Sequence, residues 1–409
     1  FSTTPGVGHL HPLIPLARAL QDAGHTVAFA AREFVRPRIE AAGFVFFPIG
    51  SDREQDPEYQ QFKRARDAMP VGFEGELFIY TQLFCGIIPR LNLPALVELG
   101  KTWKPDMFIR EGAEYGAVIA AEFLGLPHAT VAFTTALKGM NIFERDAAQR
   151  LNPLREHWGL GPDHDLNSLY RYLYLAFAPP SFATQDVGSP SPRSIPPTTR
   201  FIRPQIFDNA NHETLPEWLA QLPAQPTVYV TLGTEVNNEP DLYPRVMRTI
   251  IEGLGDLPIN LIVTLGRDQD PNDFGTQPGN VHIERYIPQT LLLPHCDVFV
   301  MHGGSNSLLA AFDVGLPLVI VPLIADQFFN AHIIEQQNLG RVIQLGALTP
   351  ANIRAAVQDV LQNPTYRQNI TRVKQEMHTL PSQEHAVEWI ERIVYEREPI
   401  QNMATKNRA

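Results

Sequence analysis

The stretch Val298-Phe299-Val300-Met301-His302-Gly303-Gly304-Ser305-Asn306-Ser307 runs from four large apolar residues through two glycines into a polar triplet. A short apolar run bounded by glycine reads as a fully buried strand. His302 to Ser307 then lie where that strand turns into a helix. Two glycines let the backbone come close to a ligand, and Asn306 and Ser307 donate from the first helical turn. Free amides and the helix dipole make such a turn a diphosphate site, with His302 adding a hydrogen bond. A plainer reading has the Ser and Asn merely capping the helix. Capping accounts for them singly, but not for His302, Gly303, Asn306 and Ser307 together.

Outward from this unit the same alternation recurs. Apolar strands are expected at 227–232, 260–265 and 318–321 around it, with helical patterns between them. In the first half, Phe1-Ser2-Thr3-Thr4 leads into the turn Pro5-Gly6-Val7-Gly8 and a helix over 11–23. Strands at 26–30, 44–49, 107–109 and 129–133 follow. Strands alternating with helices predict parallel sheets. Between residues 179 and 204 the prolines at 179, 180, 190, 192, 196, 197 and 204 predict an irregular connector. The fold class is therefore α/β, with two Rossmann-like doubly wound domains. Their expected bounds are 1–205 and 206–380, and an amphipathic helix at 383–397 within 381–409 is expected to pack back on the first half. Phe1 falls inside a strand, so residues preceding it are expected in the native chain.

Composition narrows the function classes. A chain of 409 residues exceeds the size at which single cores stop growing, about 250–300 residues. The net charge of −11 argues against nucleic acid, which needs a concentrated positive surface. Cys85 and Cys296 alone cannot form a disulfide framework, so a cytoplasmic location is expected. The most apolar stretch, 314–324, is short and broken by Pro317 and Pro322, so no stable membrane insertion is expected.

At the front, Gly6-Val7-Gly8-His9-Leu10-His11 has a histidine where a dinucleotide fingerprint needs its third glycine. His9 follows the first strand, at the end where open α/β sheets bind ligands. Imidazole titrates near neutral pH and suits a general base for a hydroxyl proton. Two histidines without further partners make a weak metal site.

Together these motifs resemble those of the nucleotide-sugar glycosyltransferases of plant secondary metabolism and bacterial antibiotic and macrolide biosynthesis, which share the GT-B fold of two domains facing across a cleft. Gly8, His9 and Pro12 match the opening Gly-His-x-x-Pro, and Thr231-Leu232-Gly233-Thr234 a strand-ending Ser/Thr-x-Gly-Ser/Thr. Asp326-Gln327 falls twenty-four residues after His302, as in the donor signature, and Asn330-Ala331 matches a further pair. The resemblance implies an inverting transfer of a hexose from UDP- or TDP-sugar to a hydroxyl of a small apolar acceptor, with no metal or other cofactor. It implies His9 as catalytic base and Glu111 as the carboxylate orienting it, with Glu114 the second choice. Thr234, His302, Asn306 and Ser307 would hold the phosphates, with Gly303 and Gly304 also in the donor site. Asp326 and Gln327 would meet the sugar, Tyr286 and Gln289 the base and ribose, and Ile287 belongs to the donor site with them. Two departures stand out. Tyr286 lies near, but not at, the position of the plant tryptophan that stacks on uracil. Ala310 replaces a glutamate that often meets the ribose hydroxyls, so both nucleosides stay open.

Aromatic residues on loops suit an apolar acceptor pocket, for which Phe62, Phe78, Phe84, Phe133 and Met140 are candidates. Their alternative is ordinary helix packing. Two other functions fit the same motifs, a nucleotide-sugar epimerase of this fold and a non-catalytic helper of a true transferase.

Overall fold

The computed structural model describes residues 1–69, 72–188, 190, 193–207, 213–233 and 242–401. The chain divides into two compact units. The first holds Phe1–Thr184, Ser189–Gln205 and the chain from Leu380 onward; the second holds Gln185–Gly188 and Ile206–Thr379.

The sheet of the first unit contains β1 (Ala28–Ala31), β2 (Val45–Pro48), β3 (Phe108–Glu111), β4 (His128–Val131), β5 (Leu173–Ala176) and β6 (Thr199–Phe201). β1 pairs with β2, and β3 to β6 pair in succession, all parallel. The N-terminal residues close the gap between the two groups. Ser2 bridges to Ala30 on one side and Arg110 on the other, its N–H donating to the Ile109 carbonyl at 2.8 Å. The chain thus runs from this central segment outward through β1 and β2, then returns to its other side at β3. That reversal is a topological switch point, where open α/β sheets form a ligand crevice at the carboxyl ends of their strands.

Helices cover the sheet because their apolar residues recur at helical spacing. Leu13–Asp22 buries Leu13, Leu16, Ala17 and Leu20. The C-terminal helix Gln383–Glu396 packs on it, with the His25 and Glu391 side chains 2.9 Å apart. The connector at 179–204 differs from the irregular stretch that its prolines predict. Helix Pro180–Ala183 and edge strand β6 lie within it. Pro180 occupies a first-turn position that needs no N–H donor, and Pro196 and Pro197 precede the strand without interrupting its ladder.

A second difference concerns the helical run 73–102, which is long and apolar enough by length and composition to cross a membrane. Its middle, Tyr80–Ile87, is wound as a π-helix and continues into Ile88–Thr102. Pro89 sits in the first turn of Ile88–Thr102 and Pro94 inside it. More than half of its most apolar window is buried within the unit, where Leu93, Leu96 and Val97 join the core.

The second unit has one six-stranded parallel sheet in the order β12-β11-β10-β7-β8-β9. Its strands are β7 (Thr227–Thr231), β8 (Asn260–Thr264), β9 (Val281–Glu284), β10 (Val298–Met301), β11 (Leu318–Ile320) and β12 (Gly340–Val342). β7, β8 and β10 are buried along their full length, as parallel strands covered on both faces are. The reversal here falls between β7 and β10, which are paired neighbours. Both units therefore carry their distinctive motifs at a switch point.

Candidate active site and donor site

His9 sits in the single turn Val7–Leu10 that follows the central N-terminal segment. Its Nδ1 lies 3.0 Å from Glu111 Oε2, at the end of the neighbouring strand β3. Glu111 is buried, and other donors fix its carboxylate. Oε1 accepts from the Thr4 N–H at 3.1 Å and the Thr4 hydroxyl at 2.6 Å; Oε2 also accepts from the Ala113 N–H at 2.7 Å. Burial alone would raise its pKa, but the His9 contact and these hydrogen bonds bring it below the ordinary value. An anionic partner on Nδ1 fixes the tautomer with the proton there, which makes Nε2 the basic nitrogen.

Glu114 does different work. Its carboxylate accepts from Gly116 N–H at 3.2 Å and Ala117 N–H at 2.9 Å, capping helix Gly116–Leu124, and from the Asn92 amide at 3.3 Å. Burial raises its pKa. Of the two glutamates, Glu111 is the one that reaches His9.

The aromatic candidates separate into groups. Phe84 and Phe133 stack on His9, with ring centroids at 5.9 and 4.6 Å. Phe62 and Phe78 instead stack on each other and join Tyr59 and Ile87 in a small hydrophobic cluster, so they pack helices. Met140 is buried with its sulfur 3.7 Å from the Tyr80 hydroxyl. Helical periodicity in one sequence does not separate an aromatic that packs a neighbouring helix from one that lines a site.

In the second unit, the residues after β7 and β10 meet. Gly303 has φ +94°, the left-handed conformation that turns the chain from β10 into helix Ser305–Val314. The His302 ring lies over the Gly233 and Gly304 backbones; a Cβ at Gly233 would stand 2.7 Å from its Cε1, and one at Gly304 would press into it as well. Burial pushes the His302 pKa down to about 4, so the ring is neutral at physiological pH. Its Nδ1 is enclosed and has no hydrogen-bond partner among the described residues. A neutral imidazole beside a helix N-terminus has one N–H to offer an anionic oxygen.

Asp326 is tied to this loop. Its Oδ2 accepts from the Ser305 hydroxyl at 2.7 Å and the Asn330 amide at 3.3 Å, while Asn330 also donates to the Gly303 carbonyl at 2.9 Å. Gln327 Oε1 accepts from Leu323 N–H at 2.9 Å and Ile324 N–H at 3.0 Å, so that oxygen holds the preceding turn. Ser307 donates to Gln289 Oε1 at 3.3 Å, joining two of the expected donor residues. Ile287 is buried, which leaves its main chain as the part able to meet a ligand. The Arg267 guanidinium lies 3.8 Å from the centroid of the Tyr286 ring and pairs with Glu213 at 2.8 Å. Thr234 lies outside the described residues. Thr4 beside Glu111 and Arg267 beside Tyr286 carry no functional signal in the sequence; the fold of each unit brings them there.

The architecture is that of the GT-B glycosyltransferases. A crystal structure of the glycosyltransferase VinC in complex with DTDP matches with a TM-score of 0.76 at 23% identity, covering 97% of this chain and 98% of that one. The spinosyn rhamnosyltransferase SpnG matches with a TM-score of 0.76 at 20% identity, covering 95% and 99%. In sequence, the chain is 27% identical to the 3-alpha-mycarosylerythronolide B desosaminyl transferase of Saccharopolyspora erythraea, over 93% of this chain and 94% of the relative. It is 31% identical to the L-demethylnoviosyl transferase of Streptomyces niveus, over 81% and 80%. Residues 18–233 match the N-terminal domain of the erythromycin biosynthesis protein CIII-like family and residues 248–393 its C-terminal domain. The chain belongs to that glycosyltransferase family.

Proposed function

We propose that this protein is an inverting O-glycosyltransferase that moves a hexose-sized sugar from a TDP-sugar to a hydroxyl of an apolar, polyketide-like acceptor. The observation that carries the reading is the 3.0 Å contact between His9 Nδ1 and the buried Glu111 carboxylate at a switch point. His9 Nε2 takes the acceptor proton as the oxygen attacks the anomeric carbon. The bond to the diphosphate breaks on the opposite face, so configuration inverts. The imidazolium that forms is stabilised by Glu111. The leaving diphosphate is held by His302 and the amides at the start of helix Ser305–Val314.

Two features support thymidine over uridine. Ala310 is a buried methyl at the position where the resemblance places a ribose-binding glutamate, and a 2′-deoxyribose needs no such carboxylate. VinC and SpnG were both solved with thymidine diphosphate. The acceptor class draws on relatives named for transfer to macrolactones and polycyclic aglycones, among them 10-deoxymethynolide and aklavinone. The amides and His302 supply the charge stabilisation that a metal gives elsewhere, so neither metal nor further cofactor is proposed. A cytoplasmic setting is proposed on the two buried thiols, Cys85 and Cys296.

The test incubates the enzyme with TDP- and UDP-activated glucose and rhamnose, each against macrolactone and polycyclic aromatic alcohols. Products are followed by mass and by the NMR coupling of the anomeric proton. A glycoside of opposite configuration to the donor, formed faster from TDP-sugar, is expected. Retained configuration would overturn the single displacement, and sugar isomerisation without acceptor would replace it with an epimerase.

A further inference from the structure

Phe84 and Phe133 meet the criteria for acceptor-pocket residues by sequence, yet their faces are already used. The His9 imidazole stacks on both, at 4.6 Å and 30° on Phe133 and at 5.9 Å and 21° on Phe84. Each ring is held from behind. Phe84 stacks on Tyr80 at 5.3 Å, and Tyr80 is fixed by its hydroxyl, 2.9 Å from that of Tyr115. Tyr115 in turn donates to the buried Glu144 carboxylate at 2.7 Å. Phe133 lies over Gly112, the residue after Glu111; a Cβ there would stand 2.9 Å from its ring, so only glycine leaves room for the phenyl to reach His9.

We propose that Phe84 and Phe133 form an aromatic clamp on His9, acting as positioning residues for the base and not as acceptor-binding surface. This rests on the reading of His9 as the general base. An aromatic face is the negative part of the ring's quadrupole, so a cation stacked on two such rings is stabilised. The clamp favours the imidazolium at the moment the acceptor proton arrives. It also blocks rotation of the ring away from Glu111, which supplies a fixed direction for Nε2.

The groups on the elements packed around His9 do not substitute for the clamp. They are His11 just after the His9 turn, Glu111 and Arg110 on β3, Glu114 and Tyr115 after it, Arg18 on the next helix, Lys138 beyond Phe133, and Tyr80 and Cys85 on the π-helical segment. Glu111 touches the ring. Burial raises the pKa of Tyr80, Tyr115 and Cys85 well above their ordinary values and keeps them neutral. None of these changes in the variants below.

The experiment is an NMR titration of ring-labelled histidine in the full chain, with the His9 signal assigned by its loss in His9→Gln. Phe133→Leu and Phe84→Leu keep apolar bulk but remove one π face each, and either variant alone carries the test. The expected result is a two- to fivefold loss of proton affinity at His9 per face, roughly the worth of one exposed cation–π contact. The upfield ring-current displacement of the His9 signal should fall with it. In turnover, kcat drops and its acid limb moves to lower pH, with the acceptor KM little changed. Unaltered titration together with a raised acceptor KM and an unchanged kcat would overturn the clamp and return both residues to the acceptor pocket. The titration reads the free enzyme, so it decides the clamp even if His9→Gln turns over normally, a result that would remove the base reading alone.

Discussion

Replacing Glu111 with Gln is the sharpest test of the His9–Glu111 pair, because the side chain keeps its shape and loses only its capacity to accept everywhere. Glu111 takes four hydrogen bonds: two from Thr4 on Oε1, and one each from Ala113 N–H and His9 Nδ1 on Oε2. An amide offers one acceptor oxygen, so its NH2 must face either the Thr4 pair or the His9–Ala113 pair. The Thr4 hydroxyl can turn but its N–H cannot, and the Ala113 N–H is equally fixed. One donor-to-donor contact is unavoidable, at a cost of about 1–3 kcal/mol of stability. If the NH2 faces His9, the imidazole must present a lone pair at Nδ1 and move its proton to Nε2. The base is then in the wrong tautomer, which in serine proteases costs about 10⁴ in kcat. The expected loss here is on the order of 10³–10⁴ in kcat. Affinity for TDP should stay within about twofold, because the diphosphate residues belong to the other unit. Single-turnover kinetics with TDP-sugar, calorimetric TDP binding and a thermal melt measure the three quantities. A Glu111→Gln enzyme within threefold of the parent kcat would refute the tautomer argument. The variant should also melt less steeply in acid. Glu111 has a lowered pKa in the folded chain, so its stabilisation is present above the unfolded value, about 4.3, and is lost as pH falls through the folded one.

Three further outcomes follow from the same geometry. Gly304→Ala drives a methyl into the His302 ring, so TDP affinity should fall at least tenfold in calorimetry while His9 titrates as before. Acid should destabilise the chain through its buried neutral histidines, His302 at about 4 and His128 at about 3. The unfolded chain binds those protons near pH 6.5 and the folded one does not, so stability falls from about pH 6.5 downward, by ~1.4 kcal/mol per pH unit and group. His128→Asn should flatten the slope of melting temperature against pH. Finally, turnover should survive excess EDTA, and a chelator-dependent loss would show that a metal shares the charge of the leaving diphosphate.

The alternation of strands and helices was legible because each buried parallel strand is a short apolar run. The edge strands β6, β9 and β12 were not, since they bury one face or less and lose the pattern; the buried interior strand β5 was missed too, while β2, also an edge, was read at 44–49. The spacing from His302 to Asp326 marked the donor loop, and the local turn signals marked His9. The sequence alone therefore determined the α/β class, the two-unit plan and the residue types of the chemistry, because periodicity and glycine turns are local properties of the chain. Which glutamate meets His9 was decided by the register of β3 against the N-terminal segment, where Ser2 pairs beside Arg110 and the Glu111 carboxylate comes within hydrogen-bond reach of Thr4. Tertiary packing likewise turned Phe62 and Phe78 into a helix-packing cluster and set Phe84 and Phe133 against His9. A side chain's neighbours across a fold are fixed by how separate elements dock, and no spacing along the chain records that.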